Sequence, residues 1–302
     1  MLKQCRKIAE LVGADAATED YLVTQLHDVA KDLSLEEPPS TYTSRILLAA
    51  MEFLGTEDPF VEVKQEQNRK AGPLARQADR ELDRTDNPLL SALMLAAAGN
   101  VIDSGPTHEF RIEDALDDLR FSRDDSGLLI ERLAEAKRVL YILDNAGEVM
   151  FDELVLKRLD RVELTIAARS TPILNDVTVA EAESLGLGQY GRITGTGSSF
   201  LGVDFGTVSD EFRDAYEAAD VVIAKGHANF ESLVGHGREA FCVLKAKCEL
   251  VAAPLGVKLG ESACYHEKGP RVQGSKGPSE RSTKDRDCFY TTRTHESSNP
   301  VR

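Results

Sequence analysis

The sequence predicts an α/β protein with a Rossmann-like, mostly parallel sheet flanked by helices, together with an all-helical N-terminal region. From residue 138 onward, short β-branched runs alternate with helical stretches, which is typical of βα units. Residues 2–133 instead show the apolar spacing of helices. The end of the chain is rich in Ser, Thr, Gly, Lys, Arg and Pro and has no apolar period. We therefore predict a helical region at 1–136, an α/β domain at 137–260 and a disordered tail at 261–302.

Helix signals recur through the first region. Two helix starts are marked by an acidic or amide residue followed by proline, at Asp58-Pro59 and at Asn87-Pro88. The helix after Pro88 is rich in Ala and Leu and carries few charges, so we expect it to be buried. The predicted helices cover residues 2–12, 21–33, 44–54, a long stretch from 60, 89–98 and 128–136.

The second region alternates apolar runs with amphipathic ones. Short, continuous apolar runs are typical of strands that are buried on both faces of a parallel sheet. The predicted strands cover residues 139–143, 162–168, 192–194 and 219–224, with 241–244 and 249–252 as the last strands. The predicted helices cover residues 148–159, 177–185 and 209–219.

Composition limits the classes of partner. The chain has 302 residues, and 36 Lys and Arg against 51 Asp and Glu give a net charge of −15. Such an acidic protein is not expected to bind a nucleic-acid backbone or an anionic membrane as its main partner. Small anionic substrates remain compatible with this charge, because a local metal ion or lysine outweighs a distant field. The oligomeric state cannot be read from the sequence.

Cysteine usage and apolar runs predict a cytoplasmic protein. The five cysteines are odd in number and scattered, without a C-x-x-C pair, which favours free thiols in a reducing compartment. No apolar run approaches the ~20 residues that a membrane span needs. The N-terminal residues lack the apolar centre of a signal peptide.

The predicted strand ends carry the candidate site. Asp144 and Asn145 follow the first strand of the α/β domain, and Asp176 follows the next strand through its loop. In an open α/β sheet, ligands bind beyond the carboxyl ends of strands and at helix N-termini. Two carboxylates and an amide oxygen are hard ligands, which Mg²⁺ or Mn²⁺ prefer. An Asx turn or a helix cap explains a single Asp-Asn pair equally well, but the repetition at Asp176 favours a metal site.

A third strand end adds groups suited to phosphate. Lys225, Gly226 and Asn229 follow the strand at 219–224. Lys225 would neutralise a phosphate oxygen, Gly226 would let the backbone approach it, and Asn229 would donate a hydrogen bond. The alternative is a turn with a surface lysine. Glu148, at the start of the helix after Asn145, either complements the helix dipole or binds substrate hydroxyls or water.

Sequence motifs of several other enzyme classes and binding sites are incomplete or absent. The loop Gly195-Thr196-Gly197 resembles half of a dinucleotide fingerprint, but Phe200 stands where the third glycine belongs. The sequence contains no phosphate-binding P-loop motif and no G-x-S-x-G. Asp144 does not begin the D-x-D pattern of aspartyl-phosphate enzymes, because Asn145 and Ala146 follow it. We therefore interpret Asp144 as a ligand and not as a nucleophile. The six histidines include no H-x-x-x-H pair, so a zinc site is not expected.

Taken in order, these motifs resemble those of the damage-control phosphatase family, and the chain is most similar to its prokaryotic branch. The resemblance runs from about residue 2 to 260. It is carried by Leu143-Asp144-Asn145-Ala146-Gly147-Glu148, Pro172-Ile173-Leu174-Asn175-Asp176-Val177-Thr178 and Ala224-Lys225-Gly226-His227-Ala228-Asn229-Phe230-Glu231, with support from Asp86-Asn87-Pro88-Leu89, Ala98-Gly99-Asn100-Val101-Ile102-Asp103 and Leu244-Lys245-Ala246-Lys247-Cys248.

The resemblance implies a metal-dependent phosphatase that acts on small phosphorylated metabolites, including sugar phosphates and damaged phosphometabolites. The cofactor would be Mn²⁺ or Mg²⁺, with Co²⁺ or Ni²⁺ as further candidates. By position, the metal ligands would be Asp144, Asn145 and Asp176, with Asp144, Asp176 and Lys225 as catalytic residues. The substrate-binding residues would be Glu148, Gly226, Asn229, Lys245, Asn100 and Asp103.

Two departures from the family pattern stand out. Prokaryotic relatives often carry a C-x-x-C before the first helix, which is not found at the start of this sequence, and His227-Ala228 stands where relatives tend to have Gln-Gly.

We expect a metal-associated water to attack phosphorus in line, with Asp176 or Glu148 as base. The alternatives are an α/β module that binds a nucleotide or sugar phosphate without turnover, and a methyltransferase-like enzyme that uses the loop at Gly195.

Overall fold

The computed structural model describes residues 2–31, 37–99, 119–235 and 238–269. These residues form a seven-stranded, mostly parallel sheet flanked by helices, with a helical N-terminal region. The predicted fold class is confirmed. No helix within these residues is long and apolar enough to cross a membrane.

Eleven α-helices are found in the described part of the chain, and most begin close to their sequence signals. Asn87 caps the helix that starts at Pro88, accepting the Leu90 N–H at 3.1 Å as predicted. The helices are α1 (Leu2–Leu11), α2 (Ala16–Lys31), α3 (Pro39–Leu54), α4 (Val61–Leu82), α5 (Pro88–Ala98), α6 (Ser126–Glu135), α7 (Val149–Leu156), α8 (Val179–Ser184), α9 (Asp210–Ala218), α10 (His227–Leu233) and α11 (Glu249–Leu255).

The sheet has the order β1-β7-β6-β5-β2-β3-β4. All neighbouring pairs are parallel except β6 and β7, which are antiparallel. The chain moves from β2 through β3 to the β4 edge and then returns to the other side of β2 with β5, so the topological switch point lies between β2 and β5. The strands are β1 (Arg123–Asp124), β2 (Arg138–Ile142), β3 (Glu163–Ala168), β4 (Arg192–Gly195), β5 (Val221–Lys225), β6 (Glu239–Lys245) and β7 (Ser262–Lys268).

Side chains of β2 divide the core between the two faces of the sheet. Val139 and Tyr141 pack with α4 to α8, whereas Leu140 and Ile142 pack with α9, α10 and α11. This alternation follows from the two-residue period of a strand. Because both faces are covered, the central strands are apolar throughout, which is why their sequences were recognisable.

A third apolar cluster joins α1, α2 and α3 to two loops of the α/β part. Ile173 and Leu201 are buried in this cluster, and Leu174 packs against it. The loop that contains Ile173 leads directly to Asp176. The three N-terminal helices therefore cover a loop of the candidate site.

Three sequence-based predictions about the fold were wrong. Residues 262–268, predicted as disordered, form β7 between β6 and β1, and 270–302 lie outside the described residues. Residues 249–252, predicted as a strand, begin helix α11, whose buried positions lie on one face. The predicted boundary at 137 also falls too late, because β1 already belongs to the sheet.

Candidate active site

Two loops that follow neighbouring strands meet at the carboxyl edge of the sheet. The loop after β2 carries Asp144 and Asn145, and the loop after β3 carries Asp176. Asn145 and Asp176 form an isolated antiparallel bridge. The Val177 N–H also donates to the Asp144 carbonyl at 2.8 Å. The structure therefore brings the three sequence-predicted metal ligands together.

The side chains of this cluster are almost completely buried. Asp144 and Glu148 are each 5% exposed, and Asp176 is 2% exposed. The Asn145 amide donates to Asp144 Oδ2 at 2.7 Å and to Glu148 Oε1 at 3.2 Å. Glu148 thus lies beside the Asp144–Asn145 pair, as the sequence predicted for a residue of the same site.

The end of β5 closes the other side of the cluster at the switch point. Gly226 has a φ of 80°, in the region that favours glycine. A Cβ atom on Gly226 would lie 1.8 Å from Asp144 Oδ2. Only a residue without a side chain fits against this carboxylate, so Gly226 lets the backbone approach Asp144, whereas the predicted approach to a phosphate oxygen stays a prediction.

Backbone strain precedes the second acidic residue. Leu174 has a φ of 46° and is the one positive-φ residue other than glycine in the described ranges. A left-handed conformation is costly for leucine, and such residues are concentrated at functional sites, where the surrounding structure holds them. Packing of Leu174 against the N-terminal helices fixes the turn that presents Asp176.

Burial and charge repulsion dominate the electrostatics. Burial raises the pKa of Asp144 well above its ordinary value, and the charges of Asp176 and Glu148 raise it further. Burial also raises the pKa of Asp176, although the guanidinium of Arg169 opposes this effect. The metal-free site therefore concentrates more carboxylate charge than its surroundings stabilise.

Arg169, which follows β3, forms hydrogen bonds with several parts of the site. It is 1% exposed, and its Nε donates to Asp176 Oδ2 at 2.7 Å. Its Nη1 donates to the Gly202 carbonyl, and its Nη2 donates to Asn229 Oδ1 at 3.1 Å. One carboxylate oxygen of Asp176 is thereby occupied and the side chain is held in a single orientation.

The predicted hydrogen bond from Asn229 to a substrate is not supported. Asn229 is fully buried, and its amide nitrogen donates to the Leu143 carbonyl at 3.1 Å and to the Lys225 carbonyl at 2.7 Å. Its oxygen accepts from Arg169. Since both N–H groups are used, Asn229 positions the backbone of two strand ends and has no N–H left for a substrate.

Lys225 is completely buried next to the site. It is 0% exposed, and its Nζ donates to Asp152 Oδ1 at 2.6 Å and to the Ala96 carbonyl at 2.8 Å. The Tyr141 hydroxyl donates to the same Asp152 oxygen at 2.8 Å. Although burial alone would lower it, the pKa of Lys225 is raised because Asp152 and Glu148 stabilise its charge. The predicted direct contact with phosphate is therefore replaced by a buried ion pair.

The turn after β6 supplies the accessible cation. Lys247 is half-exposed, and its Nζ lies 3.4 Å from Glu148 Oε1. The Nε2 atom of His227 lies 2.7 Å from the Lys245 carbonyl and 2.9 Å from the Lys247 backbone nitrogen, so it pins this turn. Burial lowers the pKa of His227, and burial together with Lys247 lowers the pKa of the half-buried Lys245.

Other sequence predictions fall elsewhere. Asn100 and Asp103 lie outside the described residues. In the glycine loop after β4, the Gly197 N–H donates to Ser170 Oγ at 2.6 Å, and a Cβ atom on Gly197 would lie 2.3 Å from the Ser209 nitrogen. This loop is packed against the protein, which removes support for a dinucleotide or methyltransferase cofactor there.

The donor set fits a hard divalent cation. Asp144 and Asp176 are adjacent, buried and mutually repelling, and a dication between them would replace repulsion with attraction. No cluster of three or more His, Cys, Asp or Glu side chains arranged for a metal is found across 2–31, 37–99, 119–235 and 238–269. The third ligand would accordingly be the amide oxygen of Asn145, together with water or substrate.

Sequence reasoning missed several residues of the site. Lys247 had a signal, because it lies two positions after Lys245 and therefore on the same side of an extended chain. Arg169 had a weaker signal, as a charged residue at the end of an apolar strand. Asp152 lies within a helix, where nothing in the sequence distinguishes it from a surface carboxylate.

Several known proteins are similar to this chain over most of its length. The profile of the damage-control phosphatase ARMT1-like domain matches residues 1–263. A damage-control phosphatase of Pyrococcus horikoshii is 36% identical over 278 residues, which cover 89% of this chain and 96% of the relative. A damage-control phosphatase of Archaeoglobus fulgidus is 33% identical over 264 residues, covering 80% of this chain and 92% of the relative.

A solved structure shows the same fold. The crystal structure of a DUF89 family protein from Pyrococcus horikoshii superposes with a TM-score of 0.77 at 34% sequence identity, covering 88% of this chain and 96% of that one. The family profile spans most of the chain, and the identities exceed 30% over nearly its full length. The chain therefore belongs to the damage-control phosphatase family.

Proposed function

We propose that this protein is a metal-dependent phosphatase that hydrolyses phosphate monoesters of small metabolites, such as sugar phosphates or damaged phosphometabolites. Membership of a phosphatase family supports the reaction class. One structural observation carries the rest of the proposal. The buried carboxylates of Asp144 and Asp176 meet beside Asn145 at the switch point of the sheet, with more negative charge than the metal-free site stabilises.

Asp144, Asn145 and Asp176 would hold Mn²⁺ or Mg²⁺, or a similar ion such as Co²⁺ or Ni²⁺. When bound, the metal supplies Lewis-acid polarisation of a phosphate oxygen. The Asn145 amide nitrogen donates to Asp144, and the amide oxygen of Asn145 is the atom that would bind the cation. Arg169 keeps Asp176 in one orientation, and Gly226 leaves Asp144 the space that it occupies.

Glu148 is the favoured base for the attacking water. Glu148 is buried beside the Asp144–Asn145 pair, 3.2 Å from the Asn145 amide nitrogen, and lies 3.4 Å from the half-exposed Lys247, whereas one oxygen of Asp176 accepts from Arg169. The half-exposed Lys247 would bind a phosphate oxygen, the role that the sequence assigned to Lys225. Water then forms the new P–O bond in line and loses its proton to Glu148, while the departing alcohol oxygen takes a proton from solvent.

We expect the release of phosphate to require an added divalent cation. We expect purified protein with a generic phosphomonoester to lose activity in EDTA and to regain it on addition of excess Mn²⁺, Co²⁺, Ni²⁺ or Mg²⁺, because the carboxylates need a cation to bind a phosphate dianion. A colorimetric assay of inorganic phosphate is the measurement.

Two results would contradict the proposal. Activity that survives complete chelation would exclude a metal-dependent reaction. Tight binding of phosphate esters without any release of phosphate, across a panel of phosphorylated metabolites with Mn²⁺ present, would favour the non-catalytic binding module instead.

A further inference from the structure

One face of helix α4 points into the candidate site. Lys64, Gln67 and Asn68 lie at positions i, i+3 and i+4, so they share a face of the helix. The sequence predicts a long helix from residue 60 and assigns no site residue to it. In the structure, Lys64 is 1% exposed and the other two side chains are partly buried.

Asn68 and Gln67 each hold one of the two loops that carry the proposed metal ligands. Asn68 Oδ1 accepts the Gly147 N–H at 2.6 Å, in the loop after β2. Gln67 Oε1 accepts from the Asn175 side-chain amide at 3.1 Å, in the loop after β3. Adjacent residues of a single helix thus reach across 79 and 108 positions of sequence to neighbouring loops.

The contact between α4 and the first loop is also close in space. Gly147 has a φ of 78°, and a Cβ atom there would lie 3.3 Å from the Cβ of Gln67. The loop therefore packs directly on the helix. This close packing leaves little room for a water molecule to replace the hydrogen bond between Gly147 and Asn68. The Gly147 N–H is not available to a phosphate, because Asn68 already accepts it.

A third contact fixes the chain just after Asp176. Lys64 Nζ lies 2.7 Å from Asp58 Oδ2 and 2.6 Å from Glu181 Oε1. Glu181 closes the capping box of α8 by accepting the Thr178 N–H at 2.8 Å. Thr178, the N-cap residue of α8, lies two residues beyond Asp176. It is therefore linked to helix α4 through Glu181 and Lys64.

The C-terminal half of α4 anchors these contacts in the core. Ala71, Ala75, Ala78 and Leu82 are buried in the cluster that covers one face of the sheet. A helix fixed in this way can hold the side chains of its N-terminal part at a rigid spacing. Ligands of a metal must be held to within about 0.5 Å, and supporting hydrogen bonds are what hold them.

We propose that α4 is a brace for the metal site, and that Gln67 and Asn68 are positioning residues that set the spacing between the Asp144–Asn145 loop and the Asp176 loop. This inference rests on the proposed function, because it concerns the affinity of the same site. Neither residue touches the reacting atoms. Each acts through a loop, so loss of either contact loosens the ligand set without removing a ligand.

The test compares Asn68→Ala, Gln67→Ala and their double variant with Gln65→Ala, an exposed position of the same helix. Mn²⁺ affinity by calorimetry is expected to fall about 10-fold in each single variant, as is typical for supporting residues of a metal site. The double variant should lose less than the product of the single losses, because either loss already frees the spacing. Gln65→Ala should match the wild type.

Two further readouts separate positioning from simple stability. Asn68→Asp keeps an acceptor for the Gly147 N–H and adds negative charge, so it should bind Mn²⁺ at least as tightly as the wild type. In the metal-free protein, amide hydrogen exchange of residues 144–148 should accelerate in Asn68→Ala and not in Gln65→Ala. Gln67→Ala should lower kcat for a generic phosphomonoester more than it changes KM.

The outcomes distinguish the brace from the proposed function. If the wild type binds Mn²⁺ and releases phosphate but Asn68→Ala and Gln67→Ala behave like Gln65→Ala, well below their melting temperatures, the brace is wrong. If only the melting temperature falls while Mn²⁺ affinity is unchanged, the brace is also wrong. If the wild type itself neither binds Mn²⁺ nor releases phosphate, the proposed function fails and the brace fails with it. Should Asn68→Ala not fold, Gln67→Ala and Asn68→Asp decide the matter.

Discussion

Replacing Asp144 or Asp176 by asparagine is expected to lower phosphate release by at least about 100-fold while the fold remains intact. Each substitution removes one of the two buried carboxylates that would hold the cation and keeps the side-chain shape. The isosteric change spares the close contact between Asp144 and Gly226. Asp160→Asn, an exposed position, serves as the control and should retain full activity.

Asp144→Asn should not destabilise the metal-free protein, whereas Asp176→Asn leaves the buried Arg169 without its charged partner and should lower the melting temperature. The pKa of folded Asp144 lies well above the unfolded value of 3.8, because of burial and the charges of Asp176 and Glu148. The folded state therefore binds more protons between the two pKa values, and its stability falls as pH rises through that interval. Asp144→Asn removes this loss, so in EDTA at neutral pH it should melt no lower than the wild type.

Phosphate release at saturating Mn²⁺ and melting curves in EDTA measure these effects. Activity of Asp144→Asn or Asp176→Asn within a few-fold of the control would contradict the assignment of the two carboxylates. A large drop in the melting temperature of Asp144→Asn together with lost activity would instead identify Asp144 as a structural group, since its carboxylate would then not be a source of repulsion in the folded state.

Replacing Asp152 by alanine is expected to lower the free energy of unfolding by about 3–5 kcal/mol, because it leaves Lys225 charged and unpaired in the core. Both side chains are 0% exposed, and their Nζ–Oδ1 distance is 2.6 Å. The Tyr141 hydroxyl would lose its acceptor as well. A loss of this size is a large part of the stability of an ordinary domain, so Asp152→Asn is the companion variant that keeps an oxygen acceptor.

Denaturant unfolding at neutral pH gives the measurement for Asp152. Glu211→Ala is the matched control, because the Arg192–Glu211 pair is 3.0 Å apart but exposed, and its loss should cost less than about 1 kcal/mol. Asp152→Asn should fall between the two. If Asp152→Ala proves as mild as Glu211→Ala, then Lys225 is not held by a buried ion pair, and its direct approach to substrate becomes tenable again.

Whether an element could be predicted from the sequence depends on what its residues contact. The strands after 137 were recognisable because both faces are buried and the runs are continuously apolar. Strand β7 was missed because only Ala263 and Cys264 are buried among its polar residues, and it exists through pairing with β6 and β1. A short segment with such a composition acquires its structure only from its neighbours.

The same reasoning applies to the site. Asp144, Asn145 and Asp176 could be found because the carboxyl ends of adjacent parallel strands converge. The roles of Gln67 and Asn68 could not be found, because these residues lie on a charged helix and their partners are about 80 to 110 positions away in the chain. Asn229 was assigned wrongly for the same reason, since its donors are used by backbone carbonyls that a sequence does not place.

Anomalous scattering from crystals grown with Mn²⁺ is the most direct test that these three side chains jointly bind a divalent ion. We predict a single strong peak between the carboxylates of Asp144 and Asp176, within bonding distance of the Asn145 amide oxygen, and no such peak in Asp176→Asn crystals. A peak elsewhere, or wild-type crystals without any peak at saturating Mn²⁺, would contradict the account.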